Sequence, residues 1–216
     1  MTEINADILL KAYMCGVFPM AETRDAKDLF WLNPEQRGIL PLDDFHAPKS
    51  LLKALRLAPF KVSINQAFPQ VIRACAAPRV GHDESWINGT IMKLYEELHQ
   101  RGFTHSVECW QDDKLVGGLY GVAIGSAFFG ESMFHTKTNA SKIALCYLVA
   151  RLKAGGYTLL DTQFVTEHLS QFGVKEIERE DYLNQLELAI AKPADFYSLS
   201  SDASSEMILQ LITQIS

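Results

Sequence analysis

Two periods alternate along the chain. Phe60, Val62 and Ile64 fall on one face of FKVSI, as in a half-buried strand. The same period runs through THSVECWQDDKLVGGLYGVAIGSAFFGESMF, broken by turn signals at QDDK and IGS, and predicts three strands of an antiparallel meander. Residues 88 to 101 switch to helical spacing, with Ile91, Leu94, Tyr95 and Leu98 on one face and Gly102 as a stop. Helices are also predicted over residues 3 to 15, ended by CGVFPM, over the basic amphipathic stretch 49 to 57, closed by Pro59, and over AFPQVIRACAA. SKIALCYLVARLKA is a further helix, with Asn139 or Ser141 as its cap and Gly155-Gly156 as its end. DLFWLNPEQRGILPL reads as two short extended pieces around a turn, YTLLDTQF as an apolar strand, TEHLSQFG as a helical turn, and DYLNQLELAI as a last helix or strand. The pattern is mixed α+β. It divides into a small N-terminal unit (1 to 60), a main unit (61 to 190) and a C-terminal extension (191 to 216). In the extension a Ser-rich loop precedes an apolar amphipathic segment, and the pattern does not show whether Met207 to Ile215 docks on the body or on a partner.

Composition bounds the class. The chain has 216 residues, 48% hydrophobic and 21% charged, as in a soluble globular protein. No apolar run approaches a membrane span, and MTEINADILL lacks the basic-then-apolar layout of a signal peptide. The four cysteines, Cys15, Cys75, Cys109 and Cys146, are widely spaced and read as reduced thiols buried as small hydrophobes in a cytoplasmic protein. The net charge of −6 conceals an asymmetry. Ala47 to His82 carries six basic residues (Lys49, Lys53, Arg56, Lys61, Arg73, Arg79) and no acid, while Glu176 to the end carries eight acids and two bases. A local basic surface suits an RNA backbone, although ordinary charge clustering produces the same pattern.

Three polar residues stand among apolar neighbours: Glu131 in AFFGESMF, and Asp161 and Gln163 in LLDTQF. A carboxylate is costly to desolvate, so each needs a partner or a task. On a strand, residues 161 and 163 share a face, where a carboxylate beside an amide can orient and polarise it. The strand–helix–strand layout makes the strands of Glu131 and Asp161 neighbours in one sheet. The three groups then converge either as a small-molecule site or as a buried, satisfied polar network. Leu119, Phe128, Phe129, Met133, Leu148, Leu152 and Leu160 surround them as pocket lining or plain core. Trp31 and Trp86 sit in loop-like contexts and are placed either to stack a base or to lid a core edge. The histidines show no ligand spacing, and no phosphate-loop, dinucleotide or Ser–His–Asp arrangement is legible, so neither a metal nor a cofactor is called for.

YMCGVFPM, WLNPEQRG, SWI, HSVECW, LVGGLYGVAIG, FFGESMF, NASKIAL, LLDTQF and HLSQFG occur in that order. In these motifs the chain, over roughly residues 8 to 186, resembles the leucyl/phenylalanyl-tRNA–protein transferases. The resemblance implies a GNAT-like acyltransferase fold behind a small N-terminal domain. It implies a cytoplasmic bacterial enzyme that moves leucine or phenylalanine, sometimes methionine, from aminoacyl-tRNA to an N-terminal Arg or Lys, marking that protein for degradation. By resemblance, Trp31 and Trp86 sandwich the terminal adenosine of the tRNA. Leu119, Phe128, Leu148, Leu152 and Leu160 match the pocket for the transferred side chain, and Glu131, Asp161 and Gln163 match the reaction centre. Thr162 stands where the family more often has Cys, and the segment after Leu188 runs past the usual family end. An aminoacyl ester is already activated, so the expected chemistry is juxtaposition of amine and ester plus proton removal. Asp161 is expected to orient Gln163, Gln163 to hold the amine, and Glu131 and Asp161 to supply negative potential for the basic N-terminus.

The sequence is also compatible with two other functions. A CoA-dependent N-acyltransferase would carry a pyrophosphate loop before the helix that follows residue 139, where TKTNASK stands instead. A non-catalytic reader of basic N-termini would use Glu131 and Asp161 but would leave the tryptophans and the basic stretch unexplained. The chain is read as a monomer with no membrane partner.

Overall fold

The computed structural model describes residues 4–26, 28–78 and 85–214. Helix α1 (Ala6–Met14) begins where the Asn5 side chain accepts the Ile8 N–H, and Gly16, at φ +76°, ends it in the left-handed turn that glycine tolerates best. The chain then forms a two-stranded ribbon, β1 (Phe18–Met20) against β2 (Phe30–Leu32). The two extended pieces expected around NPEQRG do not pair with each other: β2 belongs to the ribbon, and β3 (Gln36–Ile39) enters the main sheet.

That sheet has seven strands: β3, β4 (Lys61–Ile64), β5 (Thr104–Gln111), β6 (Lys114–Ile124), β7 (Ala127–His135), β8 (Leu159–Gln163) and β9 (Lys175–Glu178). Their order is β4-β5-β6-β7-β8-β3-β9. Strands β5 to β7 form the expected meander. Its first turn places Asp112 (φ +51°) and Asp113 (φ +55°) in the conformation of a two-residue hairpin that follows the twist of the strands. Helix α5 (Ala140–Ala154) carries the chain from β7 to β8, which pair in parallel. Asn139 stands at the N-cap of α5 at φ +67° but makes no side-chain cap bond, and Ser141 lies inside the helix, so neither expected side-chain cap forms.

Because β3 lies between β8 and β9, the sheet crosses the boundary expected near residue 60. Gly38 permits this insertion: a Cβ there would stand 2.6 Å from the Phe164 carbonyl carbon. Strand β9 is an edge strand that the pattern does not predict, since Ile177 is its one apolar residue.

Helices cover both faces. One core holds α1, α3 (Phe68–Ala76), α4 (Gly89–Gln100) and α7 (Arg179–Ala191), which includes the ambiguous DYLNQLELAI. The other holds α2 (Lys49–Arg56), α5 and α8 (Ser205–Thr213). Within the described part of the extension, α8 docks on the body through Ile208, Leu209 and Ile212, and Arg151 ties the preceding loop down by donating to the carbonyls of Phe196, Leu199 and Ser200. Among the described residues no helix is long and apolar enough to cross a membrane. Three of the four cysteines are buried; Cys15 is exposed.

Candidate active site

The parallel ladder of β7 and β8 stops at Phe129–Asp161, and beyond that point the strands part. Two irregularities sit at the parting. Tyr120 pairs with Ser132 and Gly121 with Gly130, which leaves Glu131 as the extra residue of a bulge. Gly38 pairs with Gln163 and Ile39 with Asp161, which leaves Thr162 as the extra residue on β8. Bulges re-aim side chains. Here a cavity of about 470 Å³ is lined by Gly130, Glu131, Ser132 and Met133 from β7 and by Thr162 and Gln163 from β8.

Asp161 is fully buried beneath this cavity and is not part of its wall. Its Oδ2 lies 2.6 Å from Arg37 Nη2 and its Oδ1 3.0 Å from Arg37 Nε. The Tyr182 hydroxyl donates to Oδ2 at 2.7 Å. The guanidinium lies 4.5 Å from the ring centres of both Phe18 and Tyr182, and its Nη1 donates to Gly16 O. The charge of Asp161 is thus consumed by Arg37, which corrects the expectation that Asp161 offers negative potential to a ligand.

The relation of Asp161 to Gln163 is also corrected. Asp161 Oδ1 accepts the main-chain N–H of Gln163 at 2.7 Å, not its side-chain amide. Gln163 has φ +58°, so strand alternation fails there. Its side chain enters the cavity wall, and Nε2, buried, has no hydrogen-bond partner among the described residues. A buried donor without a partner calls for an explanation, and this one lies on the cavity wall.

Glu131 accepts from the Tyr13 hydroxyl at 2.7 Å and from the Tyr95 hydroxyl at 3.0 Å, and the two hydroxyls touch each other. Burial pushes its carboxyl up to about 7, partly offset by the two phenol donors. Asp161 adds to the rise and Arg37 opposes it. Glu131 is therefore the carboxyl that the cavity presents.

The apolar lining of the cavity includes Leu119, Met133, Leu148 and Leu160, as expected, with Leu145 added from α5. Phe128 and Leu152 are corrections. Both are fully buried behind the wall, where Phe128 stacks on Phe196 of the C-terminal extension at 5.8 Å. Trp86 lines the cavity, as do Phe18 and Met20 of β1. Trp31, 37% exposed on β2 opposite Pro19, is not in the wall. Lys49, Lys53 and Arg56 are exposed on α2 opposite the buried Leu51 and Leu55. Arg73 is exposed and pairs with Glu96 at 3.3 Å. Arg79 lies outside the described residues. Among the described residues no cluster of three or more His, Cys, Asp or Glu is placed to hold a metal.

Pattern reading missed Arg37, Tyr13, Tyr95 and Tyr182. The signal for Arg37 was Asp161 itself, since a carboxylate inside an apolar strand demands a cation somewhere.

Comparison with known proteins gives the family. The model of the leucyl/phenylalanyl-tRNA protein transferase matches residues 39–187, and that of its N-terminal domain matches residues 2–35. A leucyl/phenylalanyl-tRNA–protein transferase of Phenylobacterium zucineum is 54% identical over 221 residues, covering 100% of both chains. One of Caulobacter vibrioides is 55% identical over 98% of each chain, and one of Paramagnetospirillum magneticum is 56% identical over 91% of this chain and 94% of the relative. A solved structure, L-PGS from Bacillus licheniformis, aligns at 14% identity with a TM-score of 0.41, over 76% of this chain and 55% of that one. With both family models matched in sequence order and relatives more than half identical over the full length, the chain belongs to the leucyl/phenylalanyl-tRNA–protein transferase family.

Proposed function

We propose that this enzyme transfers leucine or phenylalanine, with methionine as a third candidate, from aminoacyl-tRNA to the α-amine of proteins that begin with Arg or Lys. The transferred residue would mark those proteins for degradation, and the enzyme would act as a cytoplasmic monomer of GNAT-like fold without a cofactor. The observation that carries this reading is the mixed lining of one cavity: Leu119, Leu145, Leu148, Leu160 and Met133 beside Glu131 and the unpartnered Nε2 of Gln163. An apolar aminoacyl side chain suits the apolar lining and a cationic N-terminus suits Glu131.

The geometry supports a division of roles. Arg37 holds Asp161, and Asp161 holds the Gln163 backbone in its left-handed turn. The Gln163 amide is then placed to hydrogen-bond the attacking amine and keep its lone pair on the ester carbonyl. Glu131 draws the cationic N-terminus. Trp86, on the wall, and Trp31, on the ribbon whose Phe18 and Met20 line the cavity, offer faces for the terminal adenosine. Lys49, Lys53, Arg56 and Arg73 offer charges for the tRNA backbone.

The test is transfer of labelled leucine or phenylalanine from charged tRNA to a peptide beginning with Arg, beside the same peptide beginning with Ala. Labelling of the Arg peptide alone is expected. Binding of the Arg peptide without transfer would leave a reader of basic N-termini instead. Binding of acetyl-CoA in calorimetry would revive the CoA-dependent alternative.

A further inference from the structure

Glu131, Tyr13 and Tyr95 close a triangle of three oxygen–oxygen contacts: Tyr13 to Glu131 Oε1 at 2.7 Å, Tyr95 to Glu131 Oε2 at 3.0 Å, and Tyr13 to Tyr95. Each contact needs a hydrogen. Two phenols bring two, so with Glu131 ionised one contact is left without a proton. A third proton on Glu131 completes the ring: the carboxyl donates through Oε1 to Tyr13, Tyr13 to Tyr95, and Tyr95 back to the carbonyl oxygen Oε2. Each member then donates once and accepts once. Both phenols are fully buried, and burial pushes both well above their ordinary range, so they stay protonated. Glu131 alone gains and loses the extra proton, and it lines the cavity beside Gln163.

We propose that Glu131, held in this triangle, is the acceptor of the proton that the incoming α-ammonium must lose before it attacks the ester. The inference rests on the transfer reading above. The ammonium gives one proton to the Glu131 carboxylate, which closes the ring. The freed lone pair forms the N–C bond at the ester carbonyl and the C–O bond to the tRNA ribose breaks. The second proton leaving nitrogen goes to the ribose oxygen, yielding an amide and a free hydroxyl. The triangle then releases its proton to solvent.

The surroundings match the acceptor to its donor. Glu131 bonds Tyr13 from α1 and Tyr95 from α4 and feels the charges of Asp161 on β8 and Arg37 on β3, while Tyr120 on β6 feels the charge of Glu131. Their sum with burial brings its carboxyl to about 7, close to the roughly 7.7–8.0 of an unperturbed α-amine, so the proton moves between near equals. The bulge at Glu131 turns this one residue out of the ladder toward both phenols.

The experiment measures transfer from saturating Phe-tRNA to an Arg-starting peptide varied up to saturation, from pH 6 to 9, so that KM and the saturating rate are read separately. Wild-type transfer is established first; its failure would count against the transfer reading itself. Glu131→Gln is expected to lower the saturating rate roughly 10²–10⁴-fold. A peptide with an α-aminooxy group, already neutral across this range, is expected to react at similar rates with wild type and Glu131→Gln. Tyr95→Phe removes a donor that holds the Glu131 carboxyl down, so the acid limb of kcat/KM is expected to move to higher pH. A Glu131→Gln enzyme with a raised KM and an unchanged saturating rate would overturn the proposal in favour of a counter-ion. So would an equal loss with the aminooxy peptide, or a Tyr95→Phe profile that does not move.

Discussion

Replacing Arg37 with methionine keeps the stem between Phe18 and Tyr182 and removes the guanidinium. Asp161 would keep the Tyr182 hydroxyl and the Gln163 N–H but would lose contacts of 2.6, 3.0 and 3.2 Å to Arg37. Both partners are almost wholly buried, at 1% and 0% exposure. Removing one partner of such a pair strands the other charge and costs about 3–5 kcal/mol. At about 2–4 °C per kcal/mol for a chain of this size, Tm should fall by roughly 6–20 °C. Adding Asp161→Asn removes the stranded charge. The double variant should therefore be more stable than the sum of the single losses, with a coupling at the upper end of about 0.5–3 kcal/mol. Urea unfolding of wild type, both singles and the double closes the cycle. Arg101 and Asp7 provide the control: they also meet at 2.6 Å but are 36% and 68% exposed, so Arg101→Gln should leave the midpoint in place. If Arg37→Met costs less than about 1 kcal/mol, or if the two site substitutions are additive, Arg37 is not what stabilises the Asp161 charge.

Glu131 makes stability depend on pH. Its folded carboxyl titrates at about 7, above the roughly 4.3 of an unfolded chain, so its contribution is full below pH 4 and is lost as pH rises through 7. Between pH 5 and pH 8 wild type should lose about 2–3 kcal/mol that Glu131→Gln does not lose, as read from urea midpoints at the two pH values; equal slopes would place Glu131 in a wetter site than this. Changing Lys49, Lys53 and Arg56 together to alanine should weaken tRNA binding and lower the slope of log K against log salt by about 1 per contact removed. An unchanged slope in fluorescence anisotropy would take α2 off the tRNA path. Phe196→Ala should cost about 3–5 kcal/mol in denaturant unfolding, because Phe196 is 3% exposed and stacks on His105 and Phe128. A smaller loss would mean that the extension contributes little to the core.

The meander, the α5 crossover and the neighbouring strands of Glu131 and Asp161 were legible because each rests on a periodicity of several apolar residues. Strand β9 was not, because it is an edge strand with no buried residue, and Ile177, half-buried, is its one apolar position. The place of β3 was hidden for a related reason. Four residues carry no register information, and their position follows from a contact with β8 more than 120 residues away. In the pocket, Leu119, Met133, Leu148 and Leu160 were legible as apolar residues near the polar trio, yet Phe128 and Leu152 meet the same description and lie behind the wall. For Phe128 the difference is Phe196, which stacks on it and whose docking the pattern did not show.

The two carboxylates show most clearly where local reading ends. Asp161 and Glu131 lie on adjacent strands, each among apolar neighbours, and by sequence they pose the same problem of desolvation. The fold solves it in opposite ways. Asp161 receives a guanidinium, a phenol and a backbone N–H, so its charge is paired inside the protein and works on the chain itself, holding Gln163 in its turn. Glu131 receives two phenols, which satisfy its oxygens without neutralising it, so its charge remains conditional. Exchanging these surroundings would exchange the roles, because neither role is a property of a carboxylate alone. The determining residues are Arg37 on one side and Tyr13 and Tyr95 on the other, and they come from β3, α1 and α4. The N-terminal segment therefore completes the site: without Tyr13 and Arg37, both carboxylates would lose the groups that give them their separate tasks.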